Sequence, residues 1–302
     1  MKNNKGIWYA AGAYMIWGLF PIYWKQLKQV PALQLLGHRI IWSFLFVLAI
    51  LLITHQFQAF RAEAFKKKVV GIYAVAALLI GVNWLTYVWA VNAGYIVETS
   101  LGYFINPLLS VLLGVIFLHE RLRPMQWLPV LLATAGVAYL TAVYGRLPWI
   151  ALLLALTFGL YGFVKKLAPL GSLHGLTLET GILLLPALVY LLWMADVGQG
   201  AFLAEGAKTD ILLIGAGVVT AVPLLLFASA AKRIPLVMIG LMQFIAPTIQ
   251  FSIGVFVYNE PFSHDQLIGF AIVWLALIIF WLEGYLANRR GIPEPIPEMG
   301  EG

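Results

Sequence analysis

One twenty-residue stretch occurs twice in this chain. Leu101 to Glu120 reads LGYFINPLLSVLLGVIFLHE, and Leu241 to Glu260 reads LMQFIAPTIQFSIGVFVYNE. At a constant offset of 140, without a gap, they agree at Leu101/Leu241, Phe104/Phe244, Ile105/Ile245, Pro107/Pro247, Gly114/Gly254, Val115/Val255 and Glu120/Glu260. An apolar run of that length matches the hydrocarbon thickness of a bilayer, and agreement in register marks an internal repeat. On a helix, Tyr103, Asn106 with Pro107, Ser110 and Gly114 share one face, as do Gln243, Ala246 with Pro247, Gln250 and Gly254. Each proline is expected to break its helix and free backbone carbonyls. Weakly polar side chains also serve as glue between membrane helices. Their recurrence at matched positions favours the lining of a cavity.

Composition agrees with a membrane setting. Hydrophobic residues make up 62% of the chain and charged residues 11%, whereas a soluble domain is about one quarter charged. The 302 residues leave room for about ten spans of roughly 20 residues and no sizeable soluble domain. The expected spans are Ile7 to Trp24, Leu33 to Thr54, Val69 to Ala93, Tyr95 to Leu118, Met125 to Val143, Leu147 to Leu167, Leu176 to Ala195, Ile211 to Ala231, Leu236 to Tyr258 and Gln266 to Ala287. The closing GIPEPIPEMGEG, rich in proline, glycine and glutamate, reads as a disordered tail within 289–302. With no cysteine, disulfides and thiolate chemistry are excluded.

The net charge of +6 comes in small groups between apolar runs, which argues against a nucleic-acid surface and for orientation by the positive-inside rule. With the N-terminus cytoplasmic, one side receives Lys2 and Lys5, Arg61 with Lys66 to Lys68, Arg121 and Arg123, Lys165 and Lys166, Lys232 and Arg233, and Arg289 and Arg290, 14 of the 19 basic residues. The other side receives Lys25, Lys28, Arg39, Arg146 and Lys208. That bias places both termini in the cytoplasm and requires an even number of spans. The offset then superposes the fourth span on the ninth, five spans later, so the two copies cross in opposite senses. The fold expected is an all-α membrane protein of ten helices in a five-plus-five inverted repeat, with halves 1–145 and 146–288.

These features, together with Trp17, Gly18 and Pro21 in the first span and the stretches HRIIWSF (His38 to Phe44), NWLTYVWAVN (Asn83 to Asn92) and ETSLGYFINPL (Glu98 to Leu108), resemble the EamA branch of the drug/metabolite transporter superfamily, and its RarD-type members in particular. The resemblance covers nearly the whole chain except the last dozen residues. It implies a multi-pass carrier of the cell membrane, the inner membrane in a bacterium, that exports small metabolites or drugs by ion coupling.

Charges inside apolar spans are expensive and are the first candidates for function. Arg39 is about five residues into the second span and Glu179 about four into the seventh. Arg39 could anchor an anionic solute or pair with a carboxylate, and can also snorkel to the interface. Glu179 is too short to snorkel and is the candidate for proton coupling. Asn83 and Tyr87, at i and i+4, could offer donors and acceptors to a ligand or to neighbouring helices. Tyr14 and Trp17 could wall an organic solute. Tyr103, Asn106, Ser110, Gln243 and Gln250 complete the candidate lining, with Pro107 and Pro247 as helix breaks. Glu120 should be compensated by Arg121 and Arg123 or by the N-terminus of the next helix.

No intramembrane catalyst is legible. The histidines (38, 55, 119, 174, 264) are scattered, the aspartates (196, 210, 265) lie in connections, and HExxH, GxSxG and Walker A patterns are missing. No cofactor or metal is expected. A channel or a purely structural membrane protein remains an alternative to a carrier of a small organic solute, and a homodimer is possible.

Overall fold

The structure is a computed structural model that describes residues 4–93, 95–144, 148–258 and 263–289. Among these the regular elements are all helical: α1 (Asn4–Gly18), α2 (Phe20–Trp24), α3 (Ala32–Ile53), α4 (Phe57–Ala64), α5 (Lys67–Asn92), α6 (Ile96–Phe117), α7 (Trp127–Tyr144), α8 (Trp149–Leu167), α9 (Ser172–Asp196), α10 (Ala207–Ala231), α11 (Leu236–Met242), α12 (Ile245–Ser252) and α13 (His264–Arg289). In hydrocarbon every backbone N–H and C=O needs a partner, and a helix supplies them within one segment. Eight described stretches are long and apolar enough to cross a bilayer: α3, α5, α7, α8, α9, α10, Leu236–Val257 and Leu267–Ala287. The expected tail and Glu260 lie outside the described residues.

Three expected spans are built differently from a plain helix. The first is divided, since α1 stops at Gly18 and α2 restarts at Phe20 with Pro21 in its first turn, where a missing N–H costs nothing. The fourth runs as α6 straight through Pro107, so the expected break there does not occur, and its described apolar part, Leu101–Phe117, is shorter than the eight. Membrane helices tolerate an internal proline when neighbouring groups satisfy what it frees. The ninth does break, but at Gln243 and Phe244, between α11 and α12. Pro247 is the third residue of α12, within the first turn, whose N–H groups have no intrahelical acceptor. Beyond α12 the chain widens into a π-helical turn, Ile253–Val257.

The helices pack as α6 on α8, α3 on α10, α7 on α13, α3 on α9, α1 on α10, α6 on α11, α5 on α8, α1 on α12 and α5 on α9. Lipid tails are as apolar as leucine, so helix association depends on close van der Waals contact and small residues at crossings. The buried positions fit that rule: Ala10, Ala13, Ala76, Ala133, Ala151, Ala221, Ala230 and Ala231 are among the most enclosed residues. Many large apolar side chains point outward, among them Leu78, Leu131, Leu185, Val189, Ile211 and Trp193. At one tight crossing, a Cβ on Gly240 of α11 would stand 2.6 Å from the Pro107 carbonyl oxygen and 2.8 Å from Ser110 Cβ. Only glycine admits that approach between α6 and α11.

Candidate functional site

The bundle has a lysine-rich end, where α6, α8 and α10 finish and α5, α9 and α11 begin, and an opposite end, where α3 and α10 begin. A cluster of charged or aromatic groups lies inside each.

Near the opposite end, Arg39 occupies the eighth position of α3, about 10 Å along the helix at 1.5 Å per residue. It does not snorkel, for only 6% of it is exposed. Its Nε donates to Thr220 Oγ1 of α10 at 3.0 Å, and its guanidinium lies 4.8 Å from the Trp24 ring and 4.7 Å from the Trp84 ring. The ionisable groups acting on it are the phenols of Tyr103 and Tyr87, not a carboxylate. Those two rings meet edge to face at 5.8 Å. The fold therefore gathers Arg39, Tyr87 and Tyr103, far apart in sequence, around one cation with Trp24, Trp84 and Thr220. Beside them the His38 ring meets Phe202 of the α9–α10 connection at 5.3 Å, tilted by 37°. Gln34 holds that connection down, donating to the Gln199 carbonyl at 2.7 Å and accepting from the Ala201 amide at 2.8 Å.

Glu179, eighth in α9, has different company. Its Oε1 is 2.6 Å from Lys165 Nζ, and the two side chains are only 2% and 4% exposed. Tyr161 donates to its Oε2 at 3.1 Å. The same ammonium lies 5.3 Å from the Tyr73 ring, and Tyr73 clasps Leu170, donating to its carbonyl and accepting from its amide at 3.2 Å. Lys165, counted from sequence among the loop cations, is thus buried in the bundle. Removing one member of such a pair leaves an uncompensated buried charge, a loss of about 3–5 kcal/mol. Arg39 and Glu179 are not partners of each other, although the offset of 140 carries one onto the other.

Between the two clusters runs an aromatic column. Trp17 contacts Tyr14 (5.5 Å), Phe158 (5.7 Å) and Phe227 (5.7 Å), and Phe227 stacks on Tyr161 at 6.1 Å. Tyr14 and Trp17 are therefore packed into this column. Tyr14 Oη and Gln243 Oε1, both buried, have no hydrogen-bond partner among the described residues. Buried polar atoms are nearly always satisfied, so these two are exceptions to the rule.

Three further candidates make hydrogen bonds within the protein. Asn83 donates to the Leu154 carbonyl at 2.9 Å and to Thr157 Oγ1 at 3.0 Å, tying α5 to α8. Gln250 donates to the Trp17 carbonyl at 2.9 Å, beside the break between α1 and α2. Ser110 reaches Asn106 Oδ1 at 3.5 Å, under the Gly240 crossing.

Glu120 is compensated by a helix N-terminus, though not that of the next helix. His119 (φ 51°) turns the chain back at the end of α6, and the Glu120 carboxylate accepts from the amides of Leu236 and Val237 at 2.8 and 2.9 Å. A Cβ on Gly114 would lie 2.6 Å from Glu120 Oε2, which accounts for glycine six residues before this glutamate. Lys166 lies 3.5 Å from Glu120 Oε1 and donates to the Ile234 carbonyl at 2.9 Å.

Sequence reasoning missed Lys165, Tyr161, Tyr73, Thr220, Phe158 and Phe227. One usable signal was present: Tyr161 and Lys165 stand at i and i+4 on one face of α8.

The sequence profile of the EamA-like transporter family matches residues 4–142. The chain is 49% identical over 282 residues to the uncharacterized transporter YojE of Bacillus subtilis, covering 92% of this chain and 94% of that one. It is 44% identical to protein RarD of Streptomyces exfoliatus over 96% of this chain and 92% of the relative, and 42% identical to protein RarD of Escherichia coli over 96% and 98%. A solved crystal structure superposes with a TM-score of 0.68 at 16% identity, covering 93% of this chain and 99% of the other, a likeness of fold. YojE is named as a transporter, and the apolar helices set the chain in a lipid bilayer. With identity of this level running nearly end to end, the chain belongs to the EamA-like transporter family, in its RarD-type branch.

Proposed function

We propose that this protein is a secondary carrier that exports a small organic solute across the cell membrane by alternating access, coupled to protons through Glu179. In this reading ten crossings form two five-helix halves, 1–145 and 146–288, of opposite orientation, with both termini in the cytoplasm. The observation that carries it is that packing partners exchange along with the halves. α6 packs on α8 as α12 packs on α1, α5 packs on α8 as α10 packs on α1, and α3 packs on α10 as α9 packs on α5, while α3 with α9, α6 with α11 and α7 with α13 pair across the halves. Single contacts follow the same exchange: Gly18 lies against Ile249, and Gly159 lies against Leu109. Two interfaces that are copies of each other give two arrangements of similar energy, one open to each side, which alternation needs.

The solute path in this reading runs from the lysine-rich end along the aromatic column to the Arg39 cluster. Glu179 is closed to water by Lys165 and Tyr161 in the present state, and it binds a proton when that pair opens. The test is transport in liposomes under imposed pH gradients, with single cysteines labelled from each side. Saturable counterflow, and a flux whose pH dependence vanishes in Glu179→Gln while the protein stays folded, are expected. Non-saturating flux without counterflow would identify a channel instead, and unchanged proton coupling in Glu179→Gln would reject that residue.

A further inference from the structure

We infer that the Arg39 guanidinium takes the carboxylate of a planar organic monoanion; this rests on the carrier reading above and names the class of its solute. Arg39 is enclosed at 6% exposure, and taking a cation out of water without a counter-charge costs several kcal/mol. The protein supplies no such charge among the described residues. Nε bonds neutral Thr220, the flanking groups are the Trp24 and Trp84 rings, and the nearby titratable groups are the Tyr87 and Tyr103 phenols. Cation–π contacts offset about 0.5 to 2 kcal/mol each, short of a full counter-ion.

The geometry selects the missing partner. With two indole rings within 4.8 Å of the guanidinium and Nε already bonded, Nη1 and Nη2 make no hydrogen bond to the protein among the described residues. They present the fork that a carboxylate engages with two parallel bonds. A single guanidinium balances one negative charge, which disfavours a phosphate dianion. The indole and phenol walls leave few polar groups for a sugar or a peptide, and favour a flat apolar body beside the charged head. Tyr87 and Tyr103 can add hydroxyl donors to the second lone pairs of the carboxylate.

The experiment uses the full-length protein in detergent and in liposomes, with benzoate and indole-3-acetate as anionic probes and their primary amides as neutral matches of the same shape. Expected are a dose-dependent rise in Tm and saturable counterflow with the carboxylates, at least tenfold weaker responses to the amides, and loss of that discrimination in Arg39→Gln. Arg39→Lys, which keeps the charge but not the fork, should recover only part of it. Should Arg39→Gln not fold, the carboxylate-to-amide ratio of the unaltered protein decides alone. Equal responses to acid and amide, or discrimination that survives in folded Arg39→Gln, overturn the inference. Counterflow of the amides without the carboxylates overturns it while leaving the carrier reading in place. Absence of any saturable exchange, with cysteines reachable from one side only, removes both.

Discussion

Glu120 and Val237 are 117 residues apart in the chain, yet the Val237 amide donates to Glu120 Oε2 at 2.9 Å. With Leu236 donating to the other oxygen, the carboxylate at the end of α6 closes the first turn of α11. Four N–H groups at a helix start have no intrahelical acceptor, and a charged acceptor there is favoured by the helix dipole as well. The bond thus ties α6, which carries Pro107, to α11, the helix that precedes the Pro247-bearing α12, at the lysine-rich end of the bundle.

Replacing Glu120 with alanine should therefore lower thermal stability by about 1–3 kcal/mol per buried amide left unsatisfied. It should also expose the buried Ser110 position, next to the α6–α11 crossing, to water. A thermal melt in detergent and the labelling rate of Ser110→Cys with and without Glu120→Ala would check this. An unchanged labelling rate would mean that the tie is passive.

At the same crossing, Gly240→Ala should be poorly tolerated. Its methyl would meet the Pro107 carbonyl at 2.6 Å, and backbone cannot move aside as a flexible side chain can, so overpacking of about 1–3 kcal/mol follows. Gly71→Ala is the matched control, since nothing lies within 4 Å of its Cβ, and in a helix alanine is preferred over glycine. Melting temperatures of the two variants should move in opposite directions.

The Lys165–Glu179 pair should be strongly coupled. Lys165→Met alone leaves the carboxylate buried with only Tyr161 to bond it, at a cost of about 3–5 kcal/mol. Adding Glu179→Gln should restore much of that loss. A double-mutant cycle by chemical or thermal denaturation would show the coupling, and additive losses would contradict it.

Lys232, just past the end of α10, has its ammonium pKa lowered, first by burial and then by the neighbouring charges of Lys165 and Lys166. A depressed folded pKa means that the unfolded chain binds more protons, so stability rises as pH climbs through the window between the folded value and the ordinary lysine value. Lys232→Gln should accordingly raise Tm at pH 7. The gain should shrink as pH approaches about 10.5, where the unfolded lysine also loses its proton. A gain independent of pH would point to packing instead.

How much of this was legible in the sequence varies from residue to residue. The runs at Leu101 and Leu241 announced membrane helices, because apolar length is a property of the chain itself. Arg39 and Glu179 stood out because charge in an apolar run is rare. Pro107 misled, since a proline frees a carbonyl without deciding whether neighbouring helices hold the turn together, and α6 runs on through it. The actual break, at Gln243 and Phe244, carries no local signal.

What the sequence by itself determined was therefore the class of the molecule, its helices, and which residues would be costly to bury. Only the tertiary structure decided what each of those residues meets. Glu179 met Lys165, Glu120 met the start of α11, Asn83 met α8, and Arg39 was left facing rings and a hydroxyl. The reason is physical. Helix formation in lipid is set by hydropathy and backbone hydrogen bonding within about four residues, whereas a charge is neutralised by whichever helix the packing of small residues brings beside it.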